Sequence, residues 1–104
     1  METQQATQVA ALNDAFRADG QGVTITPGVQ ELPDLFGLLE EVRQFDEWTP
    51  GNDPYGEHDF GQIMWGDEKI FWKIDYYDQD LRYWEDPISP KCQRILTVML
   101  ASEY

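Results

Sequence analysis

Residues 52–61, Asn-Asp-Pro-Tyr-Gly-Glu-His-Asp-Phe-Gly, hold three acids and the only histidine of the chain. His58 between Glu57 and Asp59 has the make-up of a general base whose proton affinity is raised by its neighbours. Asp53, Glu57, His58 and Asp59, with Asp75, Asp78 and Asp80 further on, also form the kind of oxygen-rich set that Mg²⁺ or Ca²⁺ prefers. A metal-assisted hydrolase would then centre on Asp53, Glu57, His58, Asp59 and Asp75. Against this, Asp75-Tyr76-Tyr77-Asp78 lacks the glycine and the terminal glutamate of an EF-hand loop, and one His with one Cys makes no zinc site. The competing reading is structural. Asn52, Asp53 and Asp59 cap turns by accepting backbone N–H groups, and His58 pins the loop. That reading is preferred, because His58 has no evident nucleophile or ligand set to work with.

Cys92 is the other reactive side chain. Near the start of a helix and beside Lys91, its thiol would ionise more easily. On a helical face shared with Leu96 and Met99 it is instead an inert buried thiol, the preferred reading. There is no phosphate-binding glycine loop, no G-x-S-x-G elbow and no basic RNA-binding patch, so the sequence implies no cofactor and no resident metal.

The charge balance narrows the partners. Twenty acids against seven Lys plus Arg give −13 at pH 7 across 104 residues. Such a surface repels DNA and RNA directly and attracts basic surfaces, including those of proteins that grip nucleic acid. Between Phe45 and Asp86 lie 12 of the 20 acids and 11 of the 14 aromatics, with only Lys69, Lys73 and Arg82 opposing them. Acids interleaved with Tyr and Trp suit a protein-binding face. Trp72, Phe71 and Phe60 read as core; Tyr76, Tyr77, Tyr83 and Trp84 less so. No apolar run reaches the roughly 18–20 residues of a membrane span, and no signal peptide is evident. The single cysteine excludes an intrachain disulfide and fits a reduced, cytoplasmic setting.

The elements that must position these residues follow from periodicity. The chain reads as a single domain, residues 1–6 forming a flexible tail. A helix over about Thr7 to Asp19 presents Val9, Leu12 and Phe16, and Gly20 and Gly22 end it. Val23 to Thr26 is a short strand, broken by a turn at Thr26-Pro27-Gly28. A second helix from Asp34, its N-cap, to Glu47 carries Leu35, Leu38, Leu39, Val42 and Phe45. Gly37 either weakens it or permits close packing. After the polar connection, Phe60–Trp65 and Lys69–Tyr77 form a hairpin around Gly66-Asp67-Glu68. Ile70, Trp72, Ile74 and Tyr76 face its core side. Leu81 to Trp84 reads as a short strand. Ser89 and Pro90 start a last helix through Ile95, Leu96, Val98, Met99 and Leu100. The order α-β-α-β-β-α gives an α+β fold, with a three- or four-stranded, mostly antiparallel sheet packed by three helices.

The stretches LNDAFR (Leu12 to Arg17), TPGV (Thr26 to Val29), NDPYGEHDFG, FWKIDYYD (Phe71 to Asp78) and LTVMLA (Leu96 to Ala101) resemble a small bacterial family, domain of unknown function 3768. The resemblance covers the chain from about Leu12 onward. It brings no reaction, cofactor or catalytic residue with it. It implies a setting on plasmids, phages and other mobile elements of proteobacteria, and hence a role in conflict with the host, such as anti-restriction or anti-CRISPR activity.

The leading expectation is therefore a non-catalytic acidic binding protein, an inhibitor that occupies a basic, nucleic-acid-binding surface on a host defence complex. Its expected contacts are Asp46, Glu47, Asp53, Glu57, Asp67, Glu68, Asp78, Asp80, Glu85 and Asp86, with Tyr77, Tyr83 and Trp84 as anchors. The alternatives are the hydrolase and an acidic regulatory or structural subunit. The helix faces and the second sheet face leave room for a homodimer.

Overall fold

A computed structural model describes residues 3–20 and 22–104. Thr3 Oγ1 accepts the Ala6 N–H at 2.9 Å and starts helix α1 (Gln4–Asp19). The helix thus begins inside the tail expected over residues 1–6; residues 1 and 2 lie outside the described residues. Gly20, at φ +75°, closes it by donating its N–H to the Phe16 carbonyl. The buried stripe is Ala6, Val9, Ala10, Asn13 and Arg17. Leu12 is exposed, so the face is rotated from the Val9–Leu12–Phe16 expectation. Asn13 and Arg17 turn inward because each finds polar partners in the interior.

Strand β1 (Val23–Ile25) leads into α2 (Pro27–Gln30), one helical turn where a plain turn was expected. Asp34, at φ +54°, caps α3 (Leu35–Arg43) by accepting the Gly37 N–H at 3.2 Å. A Cβ on Gly37 would stand 2.3 Å from Asp34 Oδ2, so this glycine makes room for the cap. The helix stops at Arg43 rather than Glu47, which leaves the Phe45 carbonyl free to accept from Arg17 Nη2 at 3.0 Å.

Strands β2 (Phe60–Trp65) and β3 (Glu68–Tyr77) pair antiparallel, with Trp65 opposite Glu68 and Gly66 at φ +61° in the two-residue turn. The expected last helix is a strand, β4 (Gln93–Leu100), followed by a 3₁₀ turn over Ala101–Glu103. Ser89 and Pro90 open a turn instead of a helix: the Cys92 N–H donates to the Ser89 carbonyl and the Lys91 N–H to Ser89 Oγ. The run Ile95 to Leu100 is apolar almost throughout because β4 lies between β3 and β1, and a short apolar run of that kind has no periodicity to separate strand from helix. The shared helical face for Cys92, Leu96 and Met99 is accordingly lost. Leu81 to Trp84 forms no strand, only a bridge between Trp84 and Tyr77.

The sheet order is β1-β4-β3-β2, antiparallel except for β1 beside β4. The architecture is α+β, in the order α-β-α-α-β-β-β. Val29, Leu38, Val42 and Phe45 pack on Ile63, Ile70, Trp72, Ile74, Leu96 and Val98. Ile70, Trp72 and Ile74 alternate along β3 as their spacing predicts. Phe60 and Phe71 are not in this core. They are half-buried on the opposite face, against Tyr104.

Candidate functional site

The loop between α3 and β2 is built by its own polar side chains. Asn52 and Thr49 exchange bonds: the Thr49 N–H donates to Asn52 Oδ1 at 3.0 Å and the Asn52 N–H to Thr49 Oγ1 at 3.2 Å. Asp53 Oδ1 accepts the His58 N–H at 2.9 Å across the turn containing Gly56 (φ +71°). His58 itself sits at φ +57°, a conformation that L side chains rarely adopt without such support. Asn52 and Asp53 are thus the expected turn caps. Asp59 is not one: its carboxylate accepts the Tyr76 hydroxyl at 3.0 Å.

The His58 ring lies flat on Trp48, with centroids 3.9 Å apart and planes 5° from parallel. Its Nδ1 is 3.1 Å from both carboxylate oxygens of Asp14, and its Nε2 is 3.5 Å from Asp53 Oδ2. Both ring nitrogens therefore face carboxylates, one from α1 and one from the loop. Arg17 continues the chain of contacts. Its Nη2 donates to Asp14 Oδ1 at 3.1 Å, and its guanidinium lies over Trp48 and Trp72, at 5.2 and 5.0 Å from the ring centroids. His58 is a clamp between loop and helix: its ring turns to Asp14 of α1, while Asp59 shares a groove with Asp75. Asp75 is held by Lys73 at 2.5 Å, a contact that also raises the Lys73 ammonium pKa.

Asn13, fully buried, is the hub of a second network. Its Nδ2 donates to the Glu57 carbonyl at 2.9 Å and to the Tyr76 hydroxyl oxygen at 2.8 Å, and its Oδ1 accepts from Arg94 Nε at 2.7 Å. Arg94 Nη2 goes on to the Pro87 carbonyl at 2.7 Å. Burial, more than the neighbouring Asp59, pushes the Tyr76 hydroxyl far above its ordinary range.

Burial also raises the carboxyls of Asp59 and Glu57. For Asp59 the Tyr76 hydrogen bond opposes the rise; for Glu57 the charges of Asp59 and Asp53 add to it. The folded chain then holds these protons at pH values where the unfolded chain has released them. The stabilisation is complete below the unfolded pKa values of about 4 and is lost as pH rises through the raised folded values. We expect the Tm to rise as pH is lowered through the raised folded values toward about 4, the unfolded value, and Asp59→Asn to flatten that slope. A thermal-melt series in which the variant keeps the wild-type slope would remove Asp59 as its source.

The remaining residues singled out in the sequence fall into separate groups. The Asp53 side chain is only 6% exposed and faces His58. Asp46 and Glu47 border an open groove of about 510 Å³ beside β2. Asp67 and Glu68 stand exposed at the hairpin end. Asp59, Asp75, Tyr77 and Trp84 line a shallower groove of about 360 Å³. Among the described residues, no three His, Cys, Asp or Glu side chains are placed to hold one metal ion. Cys92 has no activated thiol: burial pushes its pKa up, which Arg94 only partly offsets.

Asp78, Asp80, Tyr83, Trp84, Glu85 and Asp86 do fall on one feature, the connection from β3 to β4. Asp78 Oδ1 accepts the N–H groups of Asp80 and Arg82, at 3.1 and 3.0 Å, and its own N–H donates to the Tyr83 carbonyl at 2.8 Å. Asp86 Oδ1 accepts the Ile88 N–H at 3.0 Å. On this braced backbone Tyr83 and Trp84 are 72% and 69% exposed, with Leu81 and Ile88 exposed beside them.

Asn13, Asp14 and Arg17 escaped the sequence reading. Their signal was present: Asn13 and Arg17 continue the Ala6–Val9–Ala10 stripe at helical spacing, which marks polar residues on a buried face.

Fold and site define a small α+β domain with one helix bolted to the sheet through buried polar contacts. The chain belongs to the family described as Protein of unknown function (DUF3768), whose model matches residues 25–103. The match begins after α1, so LNDAFR lies outside it. No curated protein and no solved structure matches the chain. Among the described residues no helix is long and apolar enough to cross a membrane.

Proposed function

We propose that this chain is a non-catalytic binding protein whose recognition surface is the Asp78–Ile88 connection. The observation that carries the reading is the exposure of Leu81, Tyr83 and Trp84 on a backbone that side-chain caps hold in place. Aromatic anchors on a pre-ordered loop have the composition of binding hot spots, and pre-ordering lowers the entropy lost on association. Asp80, Glu85 and Asp86 surround them, and Arg17 and Arg94, two of the seven basic side chains, turn inward. The complementary partner is therefore basic. In its specific form, the partner is a nucleic-acid-binding protein of a host defence complex, and the chain acts as an anti-restriction or anti-CRISPR inhibitor.

The test is phage plating on hosts that carry a restriction or CRISPR system, with and without the chain. Expression raises plating, and a salt-sensitive complex with a nucleic-acid-binding component of that system is recovered. Trp84→Ala, still folded, weakens that complex by about thirtyfold or more, the effect of losing a hot-spot anchor of about 2 kcal/mol. Unchanged plating on every host, or a complex indifferent to Trp84→Ala, would refute the proposal.

A further inference from the structure

The sheet leaves β2 as an edge strand. The phase of its ladder follows from one bond: the Ile74 N–H donates to the Asp59 carbonyl at 2.9 Å. With Phe60 opposite Lys73 and Gly61 opposite Trp72, the residues whose backbone groups face β3 are Gly61, Ile63 and Trp65. Phe60, Gln62 and Met64 turn theirs outward. Among the described residues, nothing accepts from or donates to the outward groups of Gln62 and Met64. Native edges are commonly blunted by charge, proline or a bulge. Phe-Gly-Gln-Ile-Met-Trp carries no charge and no proline, pairs in register throughout, and leaves Met64 57% exposed.

This edge borders the groove of about 510 Å³, whose other wall comes from α3 and the segment after it. Among the described residues, every charged one lining that groove is acidic: Glu41, Asp46 and Glu47. We propose that the β2 edge takes an extended, basic peptide segment as a fifth strand. Ladder bonds to Gln62 and Met64 supply the affinity, and alternation supplies the pattern. Side chains on one face of the added strand meet the acids of the groove, and those on the other meet Phe60 and Met64. The segment therefore alternates basic with apolar residues. A second copy of the chain is the poorer occupant, since pairing two β2 edges brings two acidic walls together on molecules of −13 each.

This inference goes beyond the loop surface and does not depend on it. The probe is a fluorescent peptide of about eight residues alternating Val and Lys, titrated into the full chain by anisotropy and amide NMR. It binds, shifts the Gln62 and Met64 amides, and weakens with added salt; its Val-Glu counterpart does not bind. Methylating one alternate set of peptide amides abolishes binding, while methylating the other set leaves it. Gln62→Pro, which removes an outward N–H and spares the β3 ladder, weakens binding about tenfold. Trp84→Ala binds the peptide as wild type does, so failure here and failure of the loop reading are separable.

Equal binding of both methylated peptides would reduce the effect to charge attraction and overturn the proposal. So would absence of binding to wild type, or unchanged binding in a folded Gln62→Pro. A dimer in sedimentation that Gln62→Pro dissolves would assign the edge to a second copy instead. If Gln62→Pro does not fold, the methylated peptides decide alone.

Discussion

Asn13→Ala lowers the stability of the domain by about 3 kcal/mol, because three interior groups lose their partner at once. The Glu57 carbonyl loses its donor, Arg94 Nε loses its acceptor, and the Tyr76 hydroxyl keeps only its bond to Asp59. Each buried polar group left unsatisfied costs about 1–3 kcal/mol, and the residue is fully buried, so replacement by water is restricted. For a domain of this size the Tm falls by on the order of 15 °C. Asn13→Asp separates the roles: it keeps an acceptor for Arg94 but cannot donate to the Glu57 carbonyl. It should therefore remain destabilised, and the Glu57–Asp59 amides should exchange faster than in wild type. Urea melts checked by hydrogen exchange read both effects. A loss below about 0.5 kcal/mol for Asn13→Ala would mean that the network contributes little to folding.

Gly61→Ala is the second large effect, expected at about 3 kcal/mol, at the upper end for overpacking. A Cβ there would stand 2.3 Å from Trp72 Nε1 and 2.5 Å from Trp72 Cε2. Trp72 cannot yield easily. It is fully buried, packed edge-on against Phe45 and Trp48, and has Arg17 over its face. The near-UV circular dichroism should change with the melt, since the indole must move. Combining Gly61→Ala with Trp72→Phe tests the cause: the smaller ring vacates the contact, so the double variant loses clearly less than the sum of the two single losses. Additive losses would place the cost in the strand backbone and not in the indole.

These two sites show how legible the chain was. The glycine at position 61 ends the stretch that first suggested chemistry, yet its role is to let a tryptophan across the hairpin lie against β2. The core side of β3, the hairpin around Gly66, the Asp34 cap and the Gly20 stop were all readable, because period, capping chemistry and positive-φ glycines act over a few residues. The turn character of residues 52–61 was readable for the same reason: Asn52 and Asp53 bond within the loop. β4 was misread because a strand buried between two others and a buried helix show the same short apolar run. The Asn13 contacts were beyond local patterns: its partners lie 44, 63 and 81 residues away in sequence.

By itself, then, the sequence determined the α+β class, the net acidity of the chain, the hairpin with its core face, and membership of the family. Tertiary structure alone decided three things. It turned the C-terminal segment into the strand that joins β1 to β3. It set His58 between Asp14, Asp53 and Trp48. It left Tyr83 and Trp84 outside while drawing Arg17 in. The physical reason is common to all three. Local preference is worth fractions of a kcal/mol per residue. A ladder, a buried hydrogen bond or a stacked ring exists only once distant segments meet, and it outweighs that preference where they do.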